Sequence, residues 1–447
     1  MNRASSGTTT RTAWVVSPSL AGGVIVGILG IVAAFVMSRV EPALVGAPLL
    51  LAAAIGWDRR PRRRLDERAA AADDDTVVEA SVRSTGAAHP APDGSTALSV
   101  GVHARADQRA DALQLRLSLG GSAPVDAVLT PREAVRTSGE VGVVHSGPQR
   151  VAAVSVRALG ADAAWVGGPG DEASVERVVR PRLLPVRTLP LPSHLLGLTG
   201  QHTSTRPGDG GEFRDIDLFH PGDRLRRIDW RATARSGRSG ELYVRRTTAT
   251  SDAAVHLVID ARDDVTGMVA DWSRAYPRPS VSSLDLAREA SASLAAAYAA
   301  AGDRVGFDDL GESHRVLPPR AGARHRERVL RAIELTTATG TTYQRVRSPR
   351  LSSGAIVYVF STFLDDQPPT LALTWRAAGH RVIAVDVLPA RDARDLTARE
   401  RMALRAVELE RALRLEQLQS GGVELLTWQE PAARAAGLRA LSTARRR

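Results

Sequence analysis

The pattern of apolar and polar positions divides the chain into three regions, and the first contains two uncharged apolar stretches. Residues 15–37 carry no charge and are long enough for a helix that spans a bilayer. Beyond Arg39 and Glu41, a second apolar stretch covers residues 42–57 and is only just long enough. We therefore expect a membrane anchor within residues 1–65, a hairpin of two transmembrane helices.

Arginines flank this hairpin and predict its orientation. A dense basic cluster occupies residues 59–64, and the tail before the first stretch carries Arg3 and Arg11 without an acidic residue. The positive-inside rule puts both ends in the cytoplasm, together with the large remaining body. The alternative, a cleaved signal peptide, would need a small-x-small site near Ser38, and no convincing one is present.

The second region, residues 66–192, shows short segments in which apolar and polar residues alternate, separated by Gly, Pro, Asp and Ser. Such period-two segments at regular spacing predict a small β-sandwich-like domain of antiparallel strands. We expect this domain to end in a strand over residues 178–192. The clearest other strand candidates are residues 77–82, 98–102, 113–117 and 151–156.

In the third region, residues 251–447, buried-strand runs alternate with helical patterns. This alternation predicts a doubly wound α/β domain, a mostly parallel sheet covered by helices on both faces. In such sheets function lies at the carboxyl ends of the strands, here at residues 260–264 and 361–366. The predicted strands are 255–260, 304–307, 355–360, 381–387 and 423–426, and the predicted helices are 283–301, 324–335, 370–378, 398–419 and 432–444.

Composition changes this picture mainly by exclusion. All 59 basic Lys or Arg residues are Arg, because the chain has no Lys, and it has no Cys. The absence of Lys excludes Walker-type phosphate loops and Schiff-base enzymes. The absence of Cys excludes disulfides, thiolate metal sites and a Cys nucleophile. The sequence also contains no metalloprotease, serine-hydrolase or dinucleotide-binding motif, so we do not expect an enzyme.

The net charge of +10 raises the question of nucleic-acid binding. Part of the excess lies in the basic cluster beside the membrane and part at the C-terminus, Arg445–Arg447. Aromatic residues make up only 4% of the chain, so base-stacking side chains do not accompany the arginines. We expect no nucleic-acid partner.

Between the β-rich and α/β regions, residues 193–250 contain an unusual mixture of acidic, basic and aromatic residues. Pro221-Gly222 predicts a turn, after which Asp223 could cap a short helix. On such a helix Leu225, Ile228 and Ala232 would face a core, and the arginines would form a cationic stripe of Arg224, Arg227, Arg231 and Arg235. Its candidate acidic partners are Asp215, Asp217 and Asp229. The stripe could be a structural clamp of Arg–carboxylate pairs or a surface that binds a partner or an anionic group.

This segment resembles the signature of a bacterial family catalogued as domain of unknown function 58. The matching positions are Gly222-Asp223, Arg226, Ile228-Asp229-Trp230 and Ala234-Arg235, with Phe219 where the family often has Tyr. The resemblance implies two N-terminal helices in the bacterial cell membrane, a β region and a von Willebrand factor type A-like domain. It also implies partnership with a MoxR-type AAA+ ATPase. The candidate partner-binding or clamp residues are Asp223, Arg226, Arg227, Asp229, Trp230, Arg231 and Arg235.

A complete type A domain holds Mg²⁺ with an Asp-x-Ser-x-Ser loop, a Thr and a further Asp. Here the loop begins with Asp260, but Arg262 and Asp264 replace the two Ser residues, and Thr362 stands where an Asp is usual. An Arg among the ligands would repel a cation. We expect no cofactor, and an ion pair of Arg262 with Asp260 or Asp264 in place of the cation. The alternative is a residual Mg²⁺ site of Asp260 and Asp264, with Thr336 or Thr337 nearby.

Together these features favour a non-catalytic, multi-pass membrane scaffold or adaptor whose body lies in the cytoplasm and partners a MoxR-type ATPase. The alternative is a ligand-binding, adhesion-type module that uses the top of the α/β sheet.

Overall fold

A computed structural model describes residues 5–59, 75–90, 96–106, 110–120, 122–130, 135–160, 163–192, 195, 202–235, 240–272, 274, 278–311, 316–340 and 351–443. The chain forms two compact units. The first comprises Met1–Val179 with Ala275–Pro279, and the second comprises Arg180–Arg274 with Ser280–Arg447. The end Arg445–Arg447 and most of the basic cluster at 59–64 lie outside the described residues.

The first unit is β-rich, as the alternating segments predict. Its strands pair only antiparallel, in the order β5-β4-β7-β8-β1-β2-β3-β6, with β9 also on β7. The strands are β1 (Ser5–Val16), β2 (Asp75–Pro90), β3 (Thr96–Ala106), β4 (Ala112–Leu119), β5 (Val125–Leu129), β6 (Val135–Val143), β7 (Gly147–Gly160), β8 (Trp165–Gly167) and β9 (Ala173–Val179).

One core holds this sheet together. Alternate side chains, such as Val78 and Val82 on β2 and Val154 and Val156 on β7, are buried in a single apolar cluster, while the intervening positions are more exposed. This is the side-chain period of a strand with one covered face. The alternation that predicted the strands therefore also specifies which face is buried.

The first strand, β1, lies before the apolar helices and was not predicted. It pairs with β2 over nine positions, from Ser5 opposite Arg83 to Ala13 opposite Asp75. Its last residues, Trp14–Val16, pair with β8 instead. The segment that we interpreted as a tail of the anchor is therefore part of the β-sheet.

Two helices follow β1, α1 (Pro18–Met37) and α2 (Glu41–Asp58). α1 begins where the Ser17 hydroxyl accepts a hydrogen bond from the Leu20 N–H at 3.2 Å, and it ends at Ser38 in a left-handed conformation. Among the described residues, α1 is the one helix long and apolar enough to cross a membrane. α2, which carries Glu41, Asp58 and an internal Pro48, does not meet that criterion.

Glycines allow α1 and α2 to pack closely. A Cβ atom on Gly46 would lie 2.7 Å from the Gly27 carbonyl oxygen, and one on Gly30 would lie 3.0 Å from the Gly46 Cα. Gly23, which could equally have served this role, lies in open space, since a Cβ atom there would have no neighbour within 4 Å. The close contact therefore depends on Gly27, Gly30 and Gly46.

The second unit begins with a two-stranded ribbon of β10 (His202–Leu218) and β11 (Tyr243–Ser251), with α3 (Trp230–Arg235) between them. A six-stranded sheet follows, with strands β12 (Ala254–Ile259), β13 (Arg304–Asp309), β14 (Leu317–Arg320), β15 (Ile356–Ser361), β16 (Arg381–Asp386) and β17 (Glu424–Thr427). Its helices are α4 (Ser283–Ala300), α5 (Ala323–Glu334), α6 (Gln367–Ala377), α7 (Ala398–Ser420) and α8 (Pro431–Thr443).

The strand order β14-β13-β12-β15-β16-β17 is parallel except for the edge strand β14. Side chains of α4, α5 and α8 share one core with one face of the sheet, and side chains of α6 and α7 share another core with the opposite face. The chain leaves β12 toward β13 and later returns to its other side at β15. The carboxyl ends of β12 and β15 therefore meet at the switch point where such sheets bind ligands.

The expected strand over residues 178–192 is wrong beyond Val179. Residues 180–192 form no strand, because Pro181, Pro185, Pro190 and Pro192 remove the N–H groups that a ladder needs. The apolar side chains of this segment pack against the core of the second unit instead: Leu184, Val186, Leu189 and Leu191.

Candidate functional site

The signature segment leaves β10 through a tight turn. Gly222 has φ +107°, a conformation that favours glycine. The Asp223 carboxylate accepts a hydrogen bond from the His220 N–H at 2.9 Å, and the Asp223 N–H donates to the His220 carbonyl at 3.0 Å. Asp223 therefore closes this turn and does not cap a helix as predicted, since the 3-10 helix Leu225–Arg227 has no side-chain cap.

Asp229 caps α3 and connects it to β11. Its Oδ1 accepts hydrogen bonds from the backbone N–H groups of Arg231 at 3.1 Å and Ala232 at 3.0 Å. Its own N–H donates to the Tyr243 carbonyl at 2.8 Å. All three partners of Asp229 are backbone groups. Asp229 therefore acts as a helix cap and not as the expected partner of an arginine stripe.

The expected single helix is interrupted between Arg227 and Trp230, where Ile228 is extended. Two of the three carboxylates expected to face the stripe, Asp215 and Asp217, contact other arginines. Arg246 on β11 binds Asp217 at 2.6 Å and approaches Asp223 at 3.9 Å. Asp215 lies 3.6 Å from Arg214. The clamp in this segment is therefore built by Arg246, a residue that the sequence did not single out.

The rest of the signature forms an exposed surface, here called the signature surface: Leu225, Arg226, Trp230, Arg231 and Arg235. Leu225 and Trp230 are 70% and 67% exposed, although Leu225 was expected to face a core. Within the described part of the chain, the guanidinium groups of Arg226, Arg231 and Arg235 make no hydrogen bond or ion pair. This surface thus combines apolar side chains with unpaired positive charge. Arg227 is only half-buried beside it.

The second candidate site lies at the carboxyl ends of β12 and β15, where the predicted ion pair of Arg262 is present. Arg262 is buried and donates from Nε and Nη2 to the two Asp260 oxygens at 2.8 and 2.9 Å. Nη2 also donates to Asp365 at 2.8 Å, and Nη1 donates to Gln367 Oε1 at 2.6 Å. The Ser361 hydroxyl donates to Asp260 Oδ2 at 2.8 Å. Arg262 thus binds both loops of the switch point.

This network shifts two pKa values. Burial opposes the charge of Arg262, but its hydrogen bonds and attraction to Asp260 and then Asp365 outweigh burial and raise the pKa of the guanidinium. Burial, together with repulsion from Asp260 and Asp365, raises the pKa of the neighbouring Asp263 to about 7. Arg262 is therefore a permanent cation, and Asp263 titrates near neutral pH.

The other residues considered for metal binding have different roles. Asp264 is exposed and accepts a hydrogen bond from the Leu284 N–H at 3.0 Å, at the start of α4. Thr362 is buried, and its carbonyl accepts from Arg411 Nε at 2.7 Å. The Thr336 hydroxyl donates to the Ala332 carbonyl at 3.1 Å. Among the residues that the structure describes, no group of three His, Asp or Glu side chains could hold a metal ion.

Sequence reasoning missed two features of this edge. Asp308 and Asp309, which the sequence did not single out, end β13 and are buried. Arg288 on α4 is also buried and donates to the Thr336 carbonyl at 2.6 Å, and its burial lowers the pKa of its guanidinium. The sequence did contain a signal for the two buried acids, since Asp308-Asp309 directly follows a buried-strand run.

The part of the chain that matches a known protein family contains both of these sites. Residues 215–420 match the family described as protein of unknown function DUF58. The DUF58 match begins in β10 and ends with α7, so it contains both the signature surface and the Arg262 network. It does not include the first unit or the apolar helices.

Uncharacterized proteins of Mycobacterium bovis and Mycobacterium tuberculosis are 29% identical to this chain over 204 residues. The aligned part is 44% of this chain and 60% of the length of those relatives. No solved structure matches the chain.

Proposed function

We propose that the protein is a non-catalytic scaffold or adaptor, anchored in the bacterial cell membrane with its body in the cytoplasm. Its partner in this proposal is a MoxR-type AAA+ ATPase, and its role is the assembly or maturation of other proteins. The observation that carries the proposal is the signature surface. Trp and Arg are the residues most enriched among those that dominate protein–protein binding energy.

The exposure of this surface has no structural explanation within the described chain. Asp229 and Arg246, which hold the segment in place, use other atoms and leave Trp230 and Arg231 facing solvent. Exposing a Trp forgoes the free energy that its burial would contribute, so the position is explained by a partner that buries it. The chemistry of that partner is an apolar pocket rimmed by carboxylates.

The membrane part of the proposal is a hairpin in which α1 and α2 both cross. β1 precedes α1 and β2 follows α2, yet the two strands pair in one sheet. The two ends of the helical pair therefore lie on the same side of any membrane that α1 crosses, which supports a second crossing by α2. The close packing through Gly27, Gly30 and Gly46 supports it as well.

For the second unit we propose a von Willebrand factor type A-like domain without a bound cation. Its parallel order and the loops at the carboxyl ends of β12 and β15 support this assignment. In this proposal Arg262 supplies the positive charge between Asp260 and Asp365 that a divalent ion supplies elsewhere.

The test is affinity purification of the tagged, full-length protein from its native membrane after mild crosslinking. We expect an AAA+ ATPase to be recovered with the natural protein and lost with R226A/R231A. A matched control, R328A/R399A, removes two other exposed arginines that make no ion pair among the described residues, and it should leave recovery unchanged. Equal recovery with both double variants contradicts the signature surface as the interface.

The alternative function is a ligand-binding module at the carboxyl edge of the sheet, outside the cell. Asp365 favours it, because its side chain is 49% exposed while it binds the buried Arg262. A reporter fused after Arg447 separates the two: a cytoplasmic reporter supports the adaptor, and an external one supports the ligand-binding module.

A further inference from the structure

The long helix α7 has two faces of opposite character. Its inner face is fastened to the second unit: Arg411 binds the Thr362 carbonyl at 2.7 Å and Asp386 at 2.5 Å, and Arg414 binds Asp366 at 2.5 Å. Leu418 is buried in the core below, and Leu415 packs against it. These contacts fix which side of α7 is turned toward solvent.

The outer face carries an apolar stripe, here called the α7 stripe: Met402, Ala406, Leu409 and Leu413. Met402, Leu409 and Leu413 are 74%, 67% and 64% exposed, and Ala406 is exposed as well. Met402 lies nine residues before Arg411, which is two and a half helical turns, so the stripe points directly away from the fastened face. Exposed apolar side chains in one row mark an interaction surface.

The spacing of the stripe identifies the kind of contact. Successive members are four, three and four residues apart, which is the a/d pattern of a coiled-coil seam. Ala406 and Leu413 take the a positions, and Met402 and Leu409 take the d positions. A seam of this kind is complementary to another helix with the same spacing, and a second copy of α7 provides one.

The charged residues beside the α7 stripe indicate that the second helix is another copy of α7 and that it runs parallel to the first. Arg405 occupies a g position and Glu410 the following e position, both exposed. In a parallel pair, each g residue faces the e residue that follows in the partner, so Arg405 of one copy would meet Glu410 of the other, twice by symmetry. An antiparallel pair brings g positions together, and the g residues Ala398, Arg405 and Ala412 include no acid.

We propose that two copies of this chain pair through the α7 stripe, as a parallel two-stranded coiled coil. A seam of two heptads is short, and long-lived coiled coils use more. The pairing therefore relies on the high effective concentration of two copies held in one membrane, and in this respect it rests on the proposed anchoring. Glu410, which also lies 3.6 Å from Arg414 of its own helix, is free to turn toward the partner because its side chain is 67% exposed.

The natural absence of Cys makes a direct test possible, because a single introduced Cys is the only thiol. In full-length protein in isolated native membranes under mild oxidation, L409C should form a disulfide-linked dimer, since a d position faces itself across a parallel seam. V407C is the control on the same helix: Val407 is 37% exposed but lies about a third of a turn around the helix from the stripe, so it should crosslink at least ~10-fold less, as expected for a position outside the seam.

Charge reversal supplies the second measurement. R405E in the L409C background should reduce the disulfide-linked fraction several-fold, and adding E410R should restore it, because the two charges then exchange places. Equal crosslinking of L409C and V407C overturns the proposal, as does a R405E variant that crosslinks unchanged or an L409C disulfide to a different protein.

A carbonate wash of the same membranes separates this inference from the proposed anchoring. Release of the protein contradicts the anchor, and the L409C disulfide is then scored in the released fraction. An L409C disulfide in the membrane fraction or in the released fraction supports the pairing. Its absence from both fractions overturns the pairing.

Discussion

The second unit places arginines in two opposite environments. Arg262 is buried, and its guanidinium makes hydrogen bonds to Asp260, Asp365 and Gln367. Arg231, on the signature surface, is exposed, and its guanidinium makes no hydrogen bond with the described residues. A buried charge must be paired within the fold, whereas an exposed charge is solvated by water and remains available to a partner. The comparison thus separates an arginine that stabilises the fold from arginines available for recognition.

The largest expected difference between the two environments is in stability. R262A leaves Asp260 buried without its counter-charge, and we expect a loss of about 3 to 5 kcal/mol in the free energy of unfolding. R231A, the matched control, should change it by less than about 0.5 kcal/mol. Urea denaturation of both variants measures the difference. Equal effects would mean that the Arg262 network does not support the fold.

A smaller effect concerns Asp263 and pH. Its pKa is raised to about 7, whereas an unfolded Asp titrates near 4, so between these values the folded state binds a proton that the unfolded state has lost. Stability should therefore fall as pH rises through this window, by at most about 4 kcal/mol in total, since each pKa unit corresponds to about 1.4 kcal/mol. D263N should abolish that fall, and denaturation between pH 4 and 8 measures it. A D263N profile identical to that of the natural protein contradicts the shift.

Smaller still is the expected stability effect of the exposed Trp230. W230A should alter the free energy of unfolding by less than about 0.5 kcal/mol while it abolishes recovery of the partner. W375A removes the same side chain from α6, where Trp375 is buried in the core, and should cost about 3 to 5 kcal/mol. If W230A destabilises as much as W375A, Trp230 is a packing residue.

The last prediction is that Mg²⁺ has no effect on stability. Adding Mg²⁺ to the intact protein should leave its melting temperature unchanged, because Arg262 already neutralises Asp260 and would repel a cation there. R262S restores a Ser at the position that holds one in complete type A domains, and it provides the comparison. A clear Mg²⁺-dependent rise for the natural protein would contradict the proposal of a cation-free domain.

The parallel strands and long helices of the second unit were predictable within a few residues. Strands such as β15 are continuous apolar runs, which is the pattern of strands covered on both faces. The long α7 consists mostly of strong helix formers and has a Thr397–Glu400 capping box at its start. Both signals are local and do not depend on the rest of the fold.

Two of the strands that were missed carry weak local patterns. β1 is rich in Ser and Thr and lies before an apolar helix, and β14 contains two prolines and survives as an edge strand. At the site, the Arg262 ion pair follows from residues two apart. The Arg246 pair with Asp217 joins residues 29 apart across a ribbon that no pattern predicted. Local chemistry was therefore predictable, and long-range pairing was not.

The position of β1 also determines the order of events during synthesis. β1 leaves the ribosome before α1 and α2, but its partner β2 begins at Asp75, after both helices. β1 must therefore remain unpaired until α1 and α2 have been made, and closing this long loop is slow compared with forming a local hairpin. If both helices insert as proposed, a chain whose helix ends lie on opposite sides of the membrane cannot join β1 to β2 and leaves the edges of these strands exposed.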